Sequence, residues 1–231
     1  MSDQSPEGYI PKVNGLTKRH EEILMRLKEE GASDELIREV ARGLKSDRML
    51  IAKVGIDGLT ELPQAGLCQE KINSYLTQGI PVSIEFNDLL YLKTFNEEIG
   101  HERTNNLLKE IAAIFKAQQE LYKQKGIDVN TYRYAGDEFV TIIPGLDREK
   151  AREVAEEIHK NLAGIPKPEG APIKAHFSRG QAFSGDFPEN KRNFRNLIDF
   201  ADTQAKDHKM KIRHRLESFS PQLTANLRRY G

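Results

Sequence analysis

The stretch TYRYAGDEFVTII, residues 131–143, decides the fold. Two runs of strand-forming residues, 131–134 and 139–143, flank a short Ala135-Gly136 turn, and this pattern predicts a β-hairpin. Two acidic residues, Asp137 and Glu138, lie at its tip. Neighbouring side chains of a strand point to opposite faces, so one carboxylate can hold a metal while the other faces a second chemical event. The alternative is a solvated turn, which is the commoner role of an Asp-Glu pair beside glycine.

Composition narrows the classes of function. The chain has 231 residues, enough for one large domain or for one of ordinary size with an extension. Lys+Arg and Asp+Glu both number 35, so the formal charge is zero, which argues against a general nucleic-acid binder and against a polybasic membrane surface. The single Cys68 excludes an internal disulfide and a cysteine metal cage. Without a membrane-length apolar run or a signal peptide's apolar core, we expect a cytoplasmic protein.

An N-terminal helical extension is predicted for residues 1–56. Apolar residues at helical spacing follow Thr17 until Gly31, and Ser33 opens a second helix. A segment of this length buries little surface alone, so we expect it to pack on the main domain or on a second copy, with a role in dimerisation or regulation. The alternative is a helical extension with no signalling role.

The main domain is predicted for residues 57–220, followed by a C-terminal tail at 221–231. Glycines and a proline at 55–63 mark its beginning. Strands alternate with helices in the pattern of one α/β sheet covered by helices. The predicted strands are 80–88, the two hairpin strands, 173–183 and 213–219, and the predicted helices are 67–76, 89–98, a longer one after Gly100, 148–162 and 193–209.

Four motifs occur in a fixed order along this domain. They are Asp57-x-Leu59-Thr60-x-Leu62-Pro63, then Asp88-x-x-x-Leu92-Lys93-x-x-Asn96-x-x-x-Gly100-His101, then Arg133-Tyr134-Ala135-Gly136-Asp137-Glu138-Phe139, then Ala201-Asp202 with Lys209 and Arg213. Together they resemble the motifs of the GGDEF family, the diguanylate cyclase domains. The resemblance implies a palm-like α/β fold, nucleotidyl-cyclase-like, with a central, mainly antiparallel sheet flanked by helices. It also implies a signalling enzyme that condenses two GTP into cyclic di-GMP at a homodimer interface, with release of pyrophosphate.

The implied reaction explains the acidic residues. A 3′-hydroxyl attacks an α-phosphate, and a divalent metal is needed to lower the hydroxyl pKa and to neutralise the developing charge. Oxygen ligands suit Mg²⁺, or Mn²⁺ in its place. By resemblance, Asp88 and Asp137 are the metal carboxylates, Leu89 adds a backbone carbonyl, and Glu138 activates the hydroxyl or completes the metal site.

The same resemblance assigns the substrate-binding residues. Gly136 lets the backbone approach the nucleotide. Lys209 and Arg213 match two cations that bind phosphate, although the basic run 206–215 would otherwise be interpreted as a solvated face. The remaining substrate-binding assignments are Lys93, and Asn96 and Asn105 for the guanine base. On sequence alone Asp88 could be only a helix N-cap, and a register with Glu85 at the metal would need an insertion before Gly100.

Several positions depart from the family pattern. Ala135 replaces a glycine, Asn105 replaces an aspartate that reads guanine, and Ser178-Arg179-Gly180-Gln181 replaces Ser-Ile-Gly-Val. The product-inhibition motif Arg-x-x-Asp would fall on 126–129, where it is absent. Three hypotheses follow. The favoured one is an active diguanylate cyclase, and the others are a degenerate domain that binds nucleotide or a partner without turnover, and a cyclase with an altered purine preference.

Overall fold

The computed structural model describes residues 18–219, with the side chains of 23–44, 55–216 and 218. The predicted tail at 221–231 therefore lies outside the described residues. The chain divides into two compact units between Gly55 and Ile56. None of the helices over residues 18–219 combines the length and the hydrophobicity that a membrane span needs.

The N-terminal unit is a pair of helices, α1 (Lys18–Glu29) and α2 (Asp34–Val54). Gly31 takes a left-handed conformation (φ 79°) between them, a conformation that glycine adopts without steric cost. The Ser33 hydroxyl accepts a hydrogen bond from the Leu36 amide at 3.2 Å and so caps the second helix. The described core of this unit contains three buried side chains, Leu24, Ile37 and Ala41.

The larger unit is built on a four-stranded sheet. Its strands are β1 (Val82–Leu89), β2 (Asn130–Ala135), β3 (Glu138–Pro144) and β4 (Phe177–Phe183). Their order is β2-β3-β1-β4, and every neighbouring pair is antiparallel. The β2-β3 hairpin predicted from the signature stretch is confirmed. All eight residues of β1 are buried, so this central strand carries its polar side chains into the interior rather than toward solvent.

Helices cover both faces of the sheet. They are α3 (Ala65–Thr77), α4 (Leu92–Gln124), α5 (Arg148–Ala163) and α6 (Phe194–Phe219). One hydrophobic cluster joins the sheet to α4 and α5 and includes Phe115 and Phe139, whose ring centroids lie 5.2 Å apart. A second cluster joins the opposite face to α3 and α6 and includes Ile84 and Leu197. The mainly antiparallel sheet flanked by helices agrees with the predicted fold class.

The kink in α4 is at the predicted position. Gly100 has φ 82° and ψ 159°, which are not helical values, and it separates two consecutive helical segments. The first segment begins at Leu92 rather than at residue 89, because β1 extends to Leu89, which pairs with Phe177. Tyr91 precedes the helix with a left-handed backbone (φ 65°).

The predicted last strand, 213–219, is wrong. Helix α6 continues to Phe219, since no glycine or proline interrupts residues 194–219 and the half-buried Ile212 and Leu216 lie four residues apart, which is helical spacing. Arg213 is therefore a helical residue. Helix α6 lies so close to β4 that a Cβ atom on Gly180 would be 1.9 Å from the Ala201 carbonyl oxygen. Only glycine fits at this contact.

Candidate active site

The end of β1 and the hairpin turn bring three carboxylates together. Asp88 and Glu138 are directly opposed in the antiparallel register of β1 and β3. The Leu89 amide donates a hydrogen bond to the Asp137 carbonyl oxygen at 3.0 Å, which fixes the turn against the end of β1. The acids predicted from two distant motifs are thus neighbours at one end of the sheet.

Helix α6 adds a cation to this group. The Lys209 Nζ atom lies 2.6 Å from Asp88 Oδ2, and the Ser178 hydroxyl donates to the same oxygen at 3.4 Å. The Asp88 side chain is 12% exposed, so its charge is largely removed from water. Ser178 was not among the predicted site residues, although it belongs to the stretch 178–181 that departs from the family pattern.

The pKa values of Asp137 and Glu138 reflect burial first and crowding of negative charge second. Burial raises the pKa of Asp137 above its ordinary value, the charge of Asp88 raises it further, and Lys209 opposes the shift. Burial also raises the pKa of Glu138, followed by the charges of Asp88, Asp137 and Asp202. An added cation would relieve this repulsion.

The donor set fits a divalent metal that takes few of its ligands from the protein. Among the described residues, no group of three or more His, Cys, Asp or Glu side chains is arranged to hold a metal ion. Magnesium in proteins is typically bound by one or two carboxylates, substrate phosphates and water. Asp88 and Asp137 supply that number of carboxylates, and hard oxygen atoms suit Mg²⁺ or Mn²⁺. The contribution of the Leu89 carbonyl stays a prediction.

A brace between two motifs supports the turn. Arg133 donates from Nε and Nη2 to the Gly136 carbonyl oxygen at 2.9 and 2.7 Å, while its Nη1 lies 2.7 Å from Asp57 Oδ1. The same Asp57 oxygen accepts from the Thr60 amide and hydroxyl at 2.8 and 2.7 Å. Burial alone would raise the pKa of Asp57, but the hydrogen bonds from Thr60 and Arg133 hold it below its ordinary value.

A cleft of about 380 Å³ opens beside this brace, lined by Asp57, residues 64–66 and residues 133–136. The Ala135 substitution fits this turn without strain, because the non-glycine residues with positive φ in the described chain are Glu61 and Tyr91. Gly136 itself has φ 25°, a value that disfavours a side chain at this position.

The other predicted substrate residues lie on α4 and α6. Lys93 is exposed in the first turn of α4, Asn96 is half-buried in the same segment, and Asn105 is exposed in the segment after Gly100. The Arg213 guanidinium lies over the Tyr91 ring, 5.8 Å from its centroid. This cation–π contact holds Arg213 beside the connection from β1 to α4. The roles of these residues in nucleotide binding stay predictions.

Glu85 occupies a different environment from Asp88. Its side chain is 2% exposed, and its Oε1 atom lies 3.2 Å from Arg179 Nε on β4. Burial raises the pKa of Glu85 to about 8, with Arg179 acting in the opposite direction. Glu85 and Asn87 both precede Asp88 in β1. Side chains alternate between the two faces of a strand, so Glu85 and Asn87 share the face of Leu89, which is covered by α4 and α5, and Asp88 is on the other face.

Comparison with known proteins identifies relatives over most of this chain. The family model described as "Diguanylate cyclase, GGDEF domain" matches residues 54–215. Diguanylate cyclase DosC of Escherichia coli K12 is 25% identical over 195 residues, which cover 82% of this chain and 38% of DosC. The response regulator PleD of Caulobacter vibrioides is 32% identical over 88 residues, which cover 38% of this chain and 18% of PleD. The chain thus spans well under half the length of these curated relatives.

Solved structures show the same fold. Diguanylate cyclase SiaD of Pseudomonas aeruginosa, solved with its activator SiaC, aligns with a TM-score of 0.60 and 20% identity over 84% of this chain and 72% of SiaD. The GGDEF domain of DgcB from Caulobacter crescentus, solved with c-di-GMP, aligns with a TM-score of 0.57 and 18% identity over 68% of this chain and 91% of that domain.

Proposed function

We propose that this chain, which belongs to the GGDEF family of diguanylate cyclase domains, condenses two molecules of GTP into cyclic di-GMP and releases pyrophosphate. The observation that carries the proposal is the convergence of Asp88, Asp137, Glu138 and Lys209 at one end of the sheet. This group combines two hard metal ligands, a candidate base and a cation for phosphate.

Each side chain has a proposed task in the reaction. Asp88 and Asp137 would hold Mg²⁺ or Mn²⁺, which supplies charge neutralisation at the α-phosphate and activates the 3′-hydroxyl. Glu138 accepts the hydroxyl proton as the oxygen attacks phosphorus. Lys209 and Arg213 bind the phosphates and the departing pyrophosphate. The proton therefore ends on Glu138, and the P–O bond to pyrophosphate breaks as the new ester bond forms.

Positioning of the nucleotide falls to the turn and to α4. The Arg133 contacts keep the turn in place, so that the Gly136 backbone can lie against the nucleotide without an intervening side chain. Lys93, Asn96 and Asn105 are the proposed contacts on α4, with the two amides directed at the base. Asn105 offers one donor and one acceptor, which is the specific observation that favours a relaxed purine preference as a variant of this function.

Two copies of the domain are required by this chemistry. One domain carries one set of these residues, whereas the product joins two nucleotides, so we propose a homodimer in which two sites face each other. The N-terminal helices are a candidate for stabilising that dimer, because their described core is limited to three buried side chains and gains from burial against another chain.

Product analysis tests the proposal. Purified protein incubated with GTP and Mg²⁺ should yield a cyclic dinucleotide. Tight GTP binding without any product would instead support the degenerate, nucleotide-binding interpretation.

A further inference from the structure

Asp88 already has a cation within the protein. Lys209 Nζ lies 2.6 Å from Asp88 Oδ2, and the Ser178 hydroxyl approaches that same oxygen. The two charged side chains are only 29% and 12% exposed, so water screens their attraction weakly. An ammonium group in hydrogen-bond contact occupies a lone pair of Oδ2 that a divalent metal ion could use, and a metal ion bound to the same carboxylate would repel the ammonium group.

The neighbouring cation on α6 is engaged elsewhere. Lys206 Nζ lies 2.5 Å from Asp202 Oδ2 within the same helix. Lys206 is three residues before Lys209, and Asp202 is seven residues before it. Lys206 is 70% exposed and its partner belongs to α6 rather than to the strands. Lys209 alone of this pair reaches across from the helix to the end of β1. Its contact is therefore specific to the proposed metal carboxylate.

We propose that Lys209 is a resident counter-ion that occupies Asp88 until nucleotide arrives, so that the divalent metal binds together with the nucleotide rather than before it. The inference rests on the proposed function, in which Asp88 is a metal ligand. The lysine side chain has a flexible four-carbon stem, so its ammonium group can move from the carboxylate to an incoming phosphate. The phosphates then supply the metal ligands that two carboxylates lack, and Asp88 is released for the metal in the same step.

This exchange makes the affinity of the site for metal depend on whether nucleotide is bound. Without nucleotide, a metal ion must displace Lys209, and this competition weakens its binding. Removing the ammonium group should tighten metal binding to the free domain by about tenfold, the factor expected for losing one charge-assisted hydrogen bond from the competing state. The same change should weaken nucleotide binding, because a phosphate ligand is lost. If Lys209 only bound phosphate, its removal would weaken nucleotide binding without tightening metal binding.

The experiment measures Mn²⁺ binding rather than turnover. Free Mn²⁺ is followed by electron paramagnetic resonance during titration of the full chain as wild type, Lys209→Met, Lys209→Gln and the control Lys206→Met. Each protein is titrated alone and with a GTP analogue that has a methylene group between the α and β phosphorus atoms and cannot release pyrophosphate. Circular dichroism establishes that each variant is folded, and the two substitutions at position 209 guard against a folding defect in either one.

The expected result is weak Mn²⁺ binding to nucleotide-free wild type and to Lys206→Met, and binding about tenfold tighter in the Lys209 variants. Equal Mn²⁺ affinity of wild type and both Lys209 variants would overturn the counter-ion proposal while leaving the metal site in place. Absence of Mn²⁺ binding in every protein, even with the analogue, would overturn the proposed metal site and the counter-ion together.

Discussion

Arg133 holds the carbonyl oxygen of Gly136 with two nitrogen atoms, at 2.9 and 2.7 Å. Its third nitrogen binds Asp57, so a single guanidinium ties the boundary motif to the hairpin turn that carries the acids. A lysine cannot reproduce this planar, multiply bonded arrangement.

Arg133→Lys should therefore lower turnover by tenfold or more and reduce stability by about 1–3 kcal/mol, because Asp57 and the Gly136 carbonyl lose bonds in a partly buried site. Turnover and denaturant unfolding check both effects. Arg152→Lys is the matched control, since Arg152 makes an exposed pair with Glu149 on α5. Equal losses in the two variants would show that the brace has no special role.

The stability of the domain should decrease between pH 6.5 and pH 8. Burial raises the pKa of Glu85 to about 8, so the folded protein binds this proton more tightly than the unfolded chain, and stability falls as pH rises from the ordinary value of 4.5 toward 8. Burial lowers the pKa of His159 to about 4, so this residue makes stability rise with pH, but only below the ordinary histidine value of 6.5. Arg179 and Glu156 are the charged groups that act on Glu85. The window above pH 6.5 lies beyond the range in which His159 contributes.

The expected loss across this window is on the order of 2 kcal/mol in the free energy of unfolding. Denaturant titrations at both pH values measure it. Glu85→Gln, which keeps the shape but cannot ionise, should show a flat profile. A decrease of the same size in that variant would assign the pH dependence to another group.

The sequence was most informative where local pattern and motif agreed. Two runs of strand-forming residues and the Ala-Gly turn between them predicted the β2-β3 hairpin, and Gly100 predicted the kink in α4. The predicted strand at 213–219 was wrong, because a short basic segment with two apolar residues suits a helix as well as a strand. In the structure this segment continues the uninterrupted helix α6.

Long-range pairing was the part that sequence could not supply. Asp57 and Arg133 both stood in recognised motifs, yet their bond joins residues 76 positions apart. The buried pair of Glu85 and Arg179 likewise depends on the register of β1 and β4, and the polar side chains of β1 gave no sign of which element would face them. The resemblance indicated which acids belong to the candidate site, whereas the contact of Lys209 with Asp88 could be seen only in the structure.

Asn105→Asp should raise the preference for GTP over ATP. An aspartate accepts two hydrogen bonds from the guanine N1–H and amino group, whereas the NH₂ of an asparagine faces a guanine donor. An unpaired donor costs about 1–3 kcal/mol, which is roughly a fivefold to hundredfold loss of affinity, and the exposure of Asn105 places the expected change near fivefold. The ratio of dissociation constants for GTP and ATP measures it.

Asn106→Asp is the control for the base-specificity measurement, since it adds the same charge at the next exposed position of α4. An unchanged ratio in Asn105→Asp, or an equal change in both variants, would mean that Asn105 does not read the base. The altered-purine hypothesis would then be dropped.

Cyclase activity should depend on dimer formation. Because each product molecule draws on two sites, activity per mole of protein should increase with protein concentration across the range in which dimers form. Parallel measurements of turnover and of molar mass by light scattering check this relationship. Constant specific activity from a species that stays monomeric would contradict the two-site requirement.

The central claim is that the site formed by the acidic residues at the end of β1 and in the hairpin turn catalyses the synthesis of cyclic di-GMP. The most direct measurement is the product stoichiometry after incubation with GTP and Mg²⁺, by chromatography with mass detection, for wild type and for Asp137→Asn. We predict two pyrophosphates released for each cyclic di-GMP in the wild type. We predict no product from the folded Asp137→Asn variant, whose substitution lies in a turn and removes one negative charge from the proposed metal site. Absence of cyclic di-GMP from the wild type, or full activity in Asp137→Asn, would contradict the account.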